Sequence, residues 1–246
     1  GIDPDLRRIE KYIPNATAKD ITAFFSEITD KLIAENAISA IKPNYAYFAQ
    51  YGFDGLYALR DILNRYRNKT WVILDVKRGD IGKSSDAYAK EGYDFWGADA
   101  LTISPYMGSD SVLPFLREGK LAYILCRTSN KGAEDFQTNL VEKMPLYESV
   151  MDKILEWNCG AVVGATSDAI KKLAKKTNGK VPFLIPGIGA QGGNLGMVLD
   201  AIKDHLPIHR INASSSIAYA FEKGGRPVDA AVKEAENMNK EIRKYF

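Results

Sequence analysis

Within six residues the chain places Asp75, Lys77, Arg78 and Asp80 directly behind an apolar run at 71–74. A continuous apolar run that breaks into charge is how a buried parallel strand reads where it surfaces into a site. Side chains alternate along a strand, so Asp75 and Lys77 are expected on the same side. Asp80 falls past the strand, on the loop before a helical stretch. Lys42 stands in a similar place behind the apolar run at 37–41. Together they form a Lys-Asp-Lys array in which each charge lowers the cost of burying its neighbour. Such an array is either a structural ion pair or a set of electrostatic and proton-transfer groups, and the residues alone leave both open.

Other chemistries find less support. The chain has no HExxH, no cysteine cluster and no carboxylate pair at metal-binding spacing. A serine nucleophile needs a histidine base. His205 and His209 flank Pro207 at the start of the last strand signal, the wrong end for catalysis, and read as surface or structural residues. Lysine and aspartate chemistry remains: Schiff-base aldol reactions, proton transfer, or metal-free stabilisation of a carbanion. The segment PGIGAQGG, 186–193, precedes a helical stretch. Glycines there would let backbone amides approach an anion, and the helix start would add partial positive charge. NASSS, 212–216, offers further hydroxyl donors or a plain serine cap. Arg127 to Asn130 reads either as hydrogen-bond groups for a polar heterocycle or as an ordinary loop.

These residues need a scaffold that brings them together. Eight short apolar signals, at 2–4, 37–41, 71–74, 98–103, 122–126, 161–164, 182–185 and 208–211, each precede a helical stretch, with no linker-like segment between halves. Alternating β and α over 246 residues predicts an α/β fold, a single (β/α)8 TIM barrel in one domain, 1–246. Such barrels carry their chemistry at the C-terminal ends of the strands. Asp3, Lys42, Asp75, Lys77, Ser104, Ser129, Gln191 and residues 212–216 should therefore converge.

Hydrophobic residues make up 46% and charged residues 26%, with a formal net charge of +2 and no basic block. That composition points away from a nucleic-acid surface, and no apolar run approaches the roughly 20 residues of a membrane span. Cys126 and Cys159 fit no disulfide or metal spacing, which favours a reducing, cytoplasmic setting. The chain opens without a Met, so the lack of a signal peptide carries no weight.

DVKRGDIGKSS, 75–85, resembles the DxKxxDIxxT signature of the orotidine 5′-phosphate decarboxylase family. GIDPDL, IKPNYAYFAQYG, ADALTISPYMGSDSVLPFL, CRTSNKGA, AVVGAT and IPGIGAQGG, in family order, are similar to its type 2 subgroup. The resemblance implies decarboxylation of orotidine 5′-monophosphate to UMP, without metal or organic cofactor, as the last step of de novo pyrimidine nucleotide synthesis. It makes Lys42, Asp75 and Lys77 catalytic charges of one subunit. Asp80, with Ile81 and Ser84 beside it, would reach the neighbouring site of a homodimer. It puts Asp3 and Asn44 near the ribose and the lysine array, and Ser129 at the pyrimidine amide edge. Pro186 and Gln191 fall on the pyrimidine-cap and phosphate region, and Ser214 and Ser215 close the phosphate side. One departure stands out: the arginine that the family usually places there falls on Ser215. The competing expectations are a metal-dependent phosphosugar lyase or synthase on a related barrel, a barrel that only binds nucleotide, and the decarboxylase part of a fused UMP synthase.

Overall fold

The computed structural model describes residues 1–246 apart from Ser167, Ala190 and Gln191. It divides into two compact units built from interleaved segments. One comprises 1–76, 91–99 and 214–244, the other 77–90, 100–213 and 245–246.

In the first unit, Ile2 forms a single parallel bridge to Pro43. Strand β1 (Ala40–Ile41) pairs in parallel with β2 (Trp71–Arg78), Ala40 opposite Trp71 and Ile41 opposite Val72. Val72, Ile73 and Leu74 are buried in succession, as expected of a strand covered on both faces. Helix α1 (Leu6–Ile9) follows the first bridge, α3 (Tyr45–Ala49) follows β1, and α2 (Asp20–Ala34) and α4 (Gly52–Tyr66) flank them in sequence. In α2 the apolar period of the sequence is also the burial period: Ile21, Phe24, Phe25, Ile28 and Leu32 all face inward. Phe24 and Phe25 meet Tyr219 at ring-centroid distances of 6.0 and 6.2 Å. This joins α2 to the segment that carries α9 (Ser215–Ala218) and α10 (Pro227–Arg243).

In the second unit β3 (Ala100–Ile103), β4 (Leu121–Arg127), β7 (Gly160–Val163), β8 (Phe183–Ile185) and β9 (Arg210–Ile211) pair successively in parallel. Helix α5 (Gly82–Lys90) precedes β3 in sequence, and α6 (Leu146–Trp157), α7 (Ala169–Thr177) and α8 (Leu195–Ile202) lie between the strands from β4 to β9. In this unit strand order in the sheet follows chain order. Asn158 and Asn178 end α6 and α7 in the left-handed conformation, the position where asparagine substitutes for glycine.

The stretch after β4 carries short elements that none of the eight apolar signals announces. It contains a 3-10 turn (Lys131–Asp135) and an antiparallel hairpin of β5 (Leu140–Val141) and β6 (Met144–Pro145). Glu142 and Lys143, at φ 51° and 69°, make the tight turn. Two-residue hairpin turns of this kind favour Asn or Gly, so Glu-Lys gave no signal.

Candidate active site

The ends of the first strands bring Lys42 and Asp75 together. Beyond β1 the backbone ladder continues residue by residue. Ile2 N–H donates to Lys42 O at 3.0 Å, Asn44 N–H to Ile2 O at 3.1 Å, and Asp75 N–H to Pro43 O at 2.9 Å. On this ladder Lys42 Nζ donates to Asp75 Oδ2 at 3.1 Å, with side-chain exposures of only 7% and 8%. A pair this buried adds little to stability compared with apolar residues of the same size. Breaking it would nonetheless strand a buried charge, so burial alone leaves both readings of the array open.

Asp3 lies on the same ladder. Its Oδ1 is buried and has no hydrogen-bond partner, while its carbonyl accepts from Tyr219 Oη at 3.0 Å. Tyr219 Oη also accepts from Asp5 N–H at 2.8 Å, so one phenol holds the segment on both sides of Pro4. An acceptor buried without a donor is costly in a finished core and suits a site that receives hydroxyl groups. Asn44 stands opposite Asp75 in a parallel bridge, and its Oδ1 caps α3 through Ala46 N–H at 3.2 Å.

Lys77, Asp80, Ile81 and Ser84 belong to the second unit. Lys77 has φ 44°, and its N–H donates to Thr102 Oγ1 at 2.9 Å. A left-handed residue other than glycine costs of order 1–2 kcal/mol, and such strain gathers at functional positions. Regular alternation therefore stops at Val76 and does not set the direction of the Lys77 side chain. Arg78 O accepts from Ser104 N–H at 2.7 Å, and its guanidinium lies 4.7 Å from the Tyr88 ring centre. Asp80 Oδ1 accepts from Ile81 N–H at 2.8 Å. Ile81 and Ser84 are exposed.

The ends of β4, β7 and β8 bring a second group of residues together. The Thr128–Asn130 turn sits directly against Gly164, where a Cβ would stand 2.8 Å from Ser129 N and 2.9 Å from Ser129 Cβ. Ala165 N–H donates to Pro186 O at 3.0 Å. In the glycine-rich loop, Gly192 N–H donates to Gly189 O at 2.9 Å and Gly193 N–H to Gly187 O at 3.0 Å. Those two amides are committed within the loop, which narrows what the cradle can offer an anion. Gln191 lies outside the described residues. Asn194 Oδ1 caps α8 through Met197 N–H at 3.1 Å.

Ser214 precedes α9 and Ser215 opens it. Arg226, the next arginine along the chain, is paired with Glu27 at 3.6 Å on the surface. His209 is buried at the start of β9, and its Nδ1 accepts from Phe183 N–H at 3.0 Å. With His205 it lines a cavity of about 400 Å³ together with Lys171, Lys175, Asp200 and Asp204. Both histidines thus lie before the strands, not past their ends. Among the described residues no group of three or more His, Cys, Asp or Glu is arranged to hold a metal ion, and no helix is long and apolar enough to cross a membrane. The sequence reading missed Gln137, which contacts both Arg127 and Thr128. No motif marks it, because the contact forms only when the loop folds back.

Comparison with known proteins decides the family. The profile described as orotidine 5′-phosphate decarboxylase / HUMPS family matches residues 19–217. The chain belongs to the orotidine 5′-phosphate decarboxylase / HUMPS family. A family member from Herpetosiphon aurantiacus, named orotidine 5′-phosphate decarboxylase, is 39% identical over 96% of this chain and 88% of its own length. One of the same name from Dehalococcoides mccartyi is 38% identical over 100% of this chain and 91% of its own. Among solved structures, Leishmania donovani OMP decarboxylase superposes with a TM-score of 0.81 at 33% identity, covering 99% of this chain and 92% of that one. Leishmania donovani UMP synthase gives a TM-score of 0.84 at 35% identity, covering 99% of this chain. There the chain spans about half, 53%, of the matched protein. The fold of this orotidine 5′-phosphate decarboxylase family member is the (β/α)8 TIM barrel.

Proposed function

We propose that residues 1–246 act as one catalytic domain that decarboxylates orotidine 5′-monophosphate to UMP and carbon dioxide, in pyrimidine nucleotide synthesis, without metal or organic cofactor. The observation that carries the reading is the buried Lys42–Asp75 pair, 3.1 Å apart at adjacent strand ends, in a chain of this family. Loss of carbon dioxide leaves an electron pair at pyrimidine C6, where the ring cannot delocalise it as an enolate. A cation at C6 would stabilise that charge as it develops and then deliver the proton. Lys77 is assigned that role, with Asp75 near the departing carboxylate and Lys42 orienting Asp75. Asp80, with Ile81 and Ser84, is assigned to the neighbouring site of a homodimer, and the setting is cytoplasmic.

On the substrate side, Asp3 and Asn44 take the ribose and Ser129 the pyrimidine amide edge. The buried, unpartnered Asp3 Oδ1 supports the first of these assignments. Pro186, Gln191, Ser214 and Ser215 take the pyrimidine cap and the phosphate. The test is the loss of orotidine 5′-monophosphate absorbance on adding protein, with and without a chelator. Turnover unchanged by the chelator is expected. Activity that disappears with it would favour a metal-dependent phosphosugar enzyme instead, and no turnover at all would leave a nucleotide-binding barrel.

A further inference from the structure

Strand β4 ends irregularly. It pairs with β7 from Tyr123 opposite Gly160 to Leu125 opposite Val162, then skips a residue so that Arg127 stands opposite Val163. The extra residue, Cys126, makes a bulge, and bulges re-aim the side chains that follow them. Cys126 and Arg127 are both buried, as are Ala122, Tyr123 and Ile124 before the bulge, so the guanidinium sits in a strand covered on both faces.

A buried guanidinium needs acceptors for its donors. Arg127 finds the Glu134 carboxylate, Thr128 O at 3.3 Å and Gln137 Oε1 at 3.4 Å. Gln137 then grips the turn at two points. Its Oε1 accepts from Thr128 N–H at 2.9 Å, and its Nε2 donates to Thr128 Oγ1 at 2.8 Å. Thr128 Oγ1 in turn donates to Asn130 Oδ1 at 2.7 Å, and Thr166 Oγ1 donates to Ser129 O at 3.3 Å. Ser129 thus lies between two fastened neighbours and against Gly164, although Gln137 is eight positions away in sequence. A primary amide serves a backbone N–H and a hydroxyl at once; a carboxylate keeps only the acceptor half.

We propose that Gln137, braced by Arg127, is a positioning residue that sets the Thr128–Asn130 turn so that Ser129 meets the amide edge of the substrate's pyrimidine. This rests on the assignment of Ser129 made above.

The test measures UMP and ribose 5-phosphate affinity by calorimetry on the whole chain, together with KM and kcat for orotidine 5′-monophosphate. Gln137→Ala is expected to weaken UMP by about tenfold, the equivalent of one net hydrogen bond. Ribose 5-phosphate has no base and should be unaffected, and KM should rise more than kcat falls. Gln137→Glu, which keeps the acceptor for Thr128 N–H, should recover most of the affinity. In a Ser129→Ala background, Gln137→Ala should add less than about twofold, because its effect passes through Ser129.

Unchanged UMP affinity in Gln137→Ala would overturn the proposal. So would equal losses for UMP and ribose 5-phosphate, which would mark general damage to the fold. A wild-type protein that neither binds UMP nor turns over the substrate would overturn the assigned activity itself, an outcome distinct from either of these.

Discussion

Lys77 carries the largest expected effect of any single side chain. If it stabilises and protonates the carbon that loses carbon dioxide, Lys77→Ala should lower kcat/KM by about three orders of magnitude or more, since both contributions go at once. The side chain is exposed, so the circular dichroism spectrum and melting temperature should hardly change. Near-normal UMP formation by that variant would sink the assignment. Ser215 poses the opposite question. A serine there lacks the bidentate, charge-assisted contact that an arginine would make to a phosphate. Ser215→Arg should therefore tighten UMP binding by about tenfold or more, from the ~1.5–3 kcal/mol of a hydrogen bond to a charged group. Calorimetric titration reads it directly. Unchanged or weaker binding would mean that position 215 does not face the phosphate.

Among the elements, the junction of β8 and β9 has its own pH dependence. Burial first, and then the charges of His205 and Arg210, push His209 down from 6.5 to about 4. In the fold it stays neutral and accepts from Phe183 N–H. Asp200, Asp204, Lys171 and Lys175 line the adjoining cavity. Because the unfolded chain takes up the proton first, this contribution is complete above about pH 6.5 and is lost as pH falls toward 4. The loss is on the order of 3 kcal/mol at most. Glu222, held down at about 2 chiefly by its bond to Arg8, loses its contribution only as pH falls from 4.5 toward 2. The window from pH 6.5 to 4.5 therefore isolates the histidine from that group. Urea midpoints should fall between pH 7.5 and 5 in the wild type and much less in His209→Asn, whose side-chain oxygen can accept the same N–H without titrating. An identical drop in both proteins would rule out His209 as its source.

At the scale of the whole molecule the open question is how many chains make one site. If Asp80 acts in the neighbouring subunit, Lys77→Ala and Asp80→Ala proteins are each inactive alone but complementary when mixed. Random exchange makes half of the dimers hybrids, each with one intact site, so about a quarter of wild-type activity should return. Subunit exchange can be followed independently with a size tag. Exchange without any recovery would place Asp80 in the service of its own chain.

The strand ends, the charged array and most helices were legible in the sequence because each depends on local periodicity and on the apolar-to-charged break at a strand's end. Ala37 to Lys42 and Trp71 to Asp75 carry both signals, and the parallel ladder with its Lys42–Asp75 pair follows from them. Family resemblance extended this to named roles, which local patterns cannot supply. The left-handed backbone at Lys77, the bulge at Cys126 and the Glu142–Lys143 turn were not legible. A left-handed lysine and a Glu-Lys hairpin turn run against the preferences of their own residues, and the bulge shows only in the pairing of β4 with β7. Gln137 was not legible either, because its partners lie nine and ten residues away on a loop that folds back. Pairing rules and periodicity decide which residues reach the ends of the strands. Their orientation and bracing there depend on desolvation and hydrogen bonding between segments, and only the tertiary structure decides those.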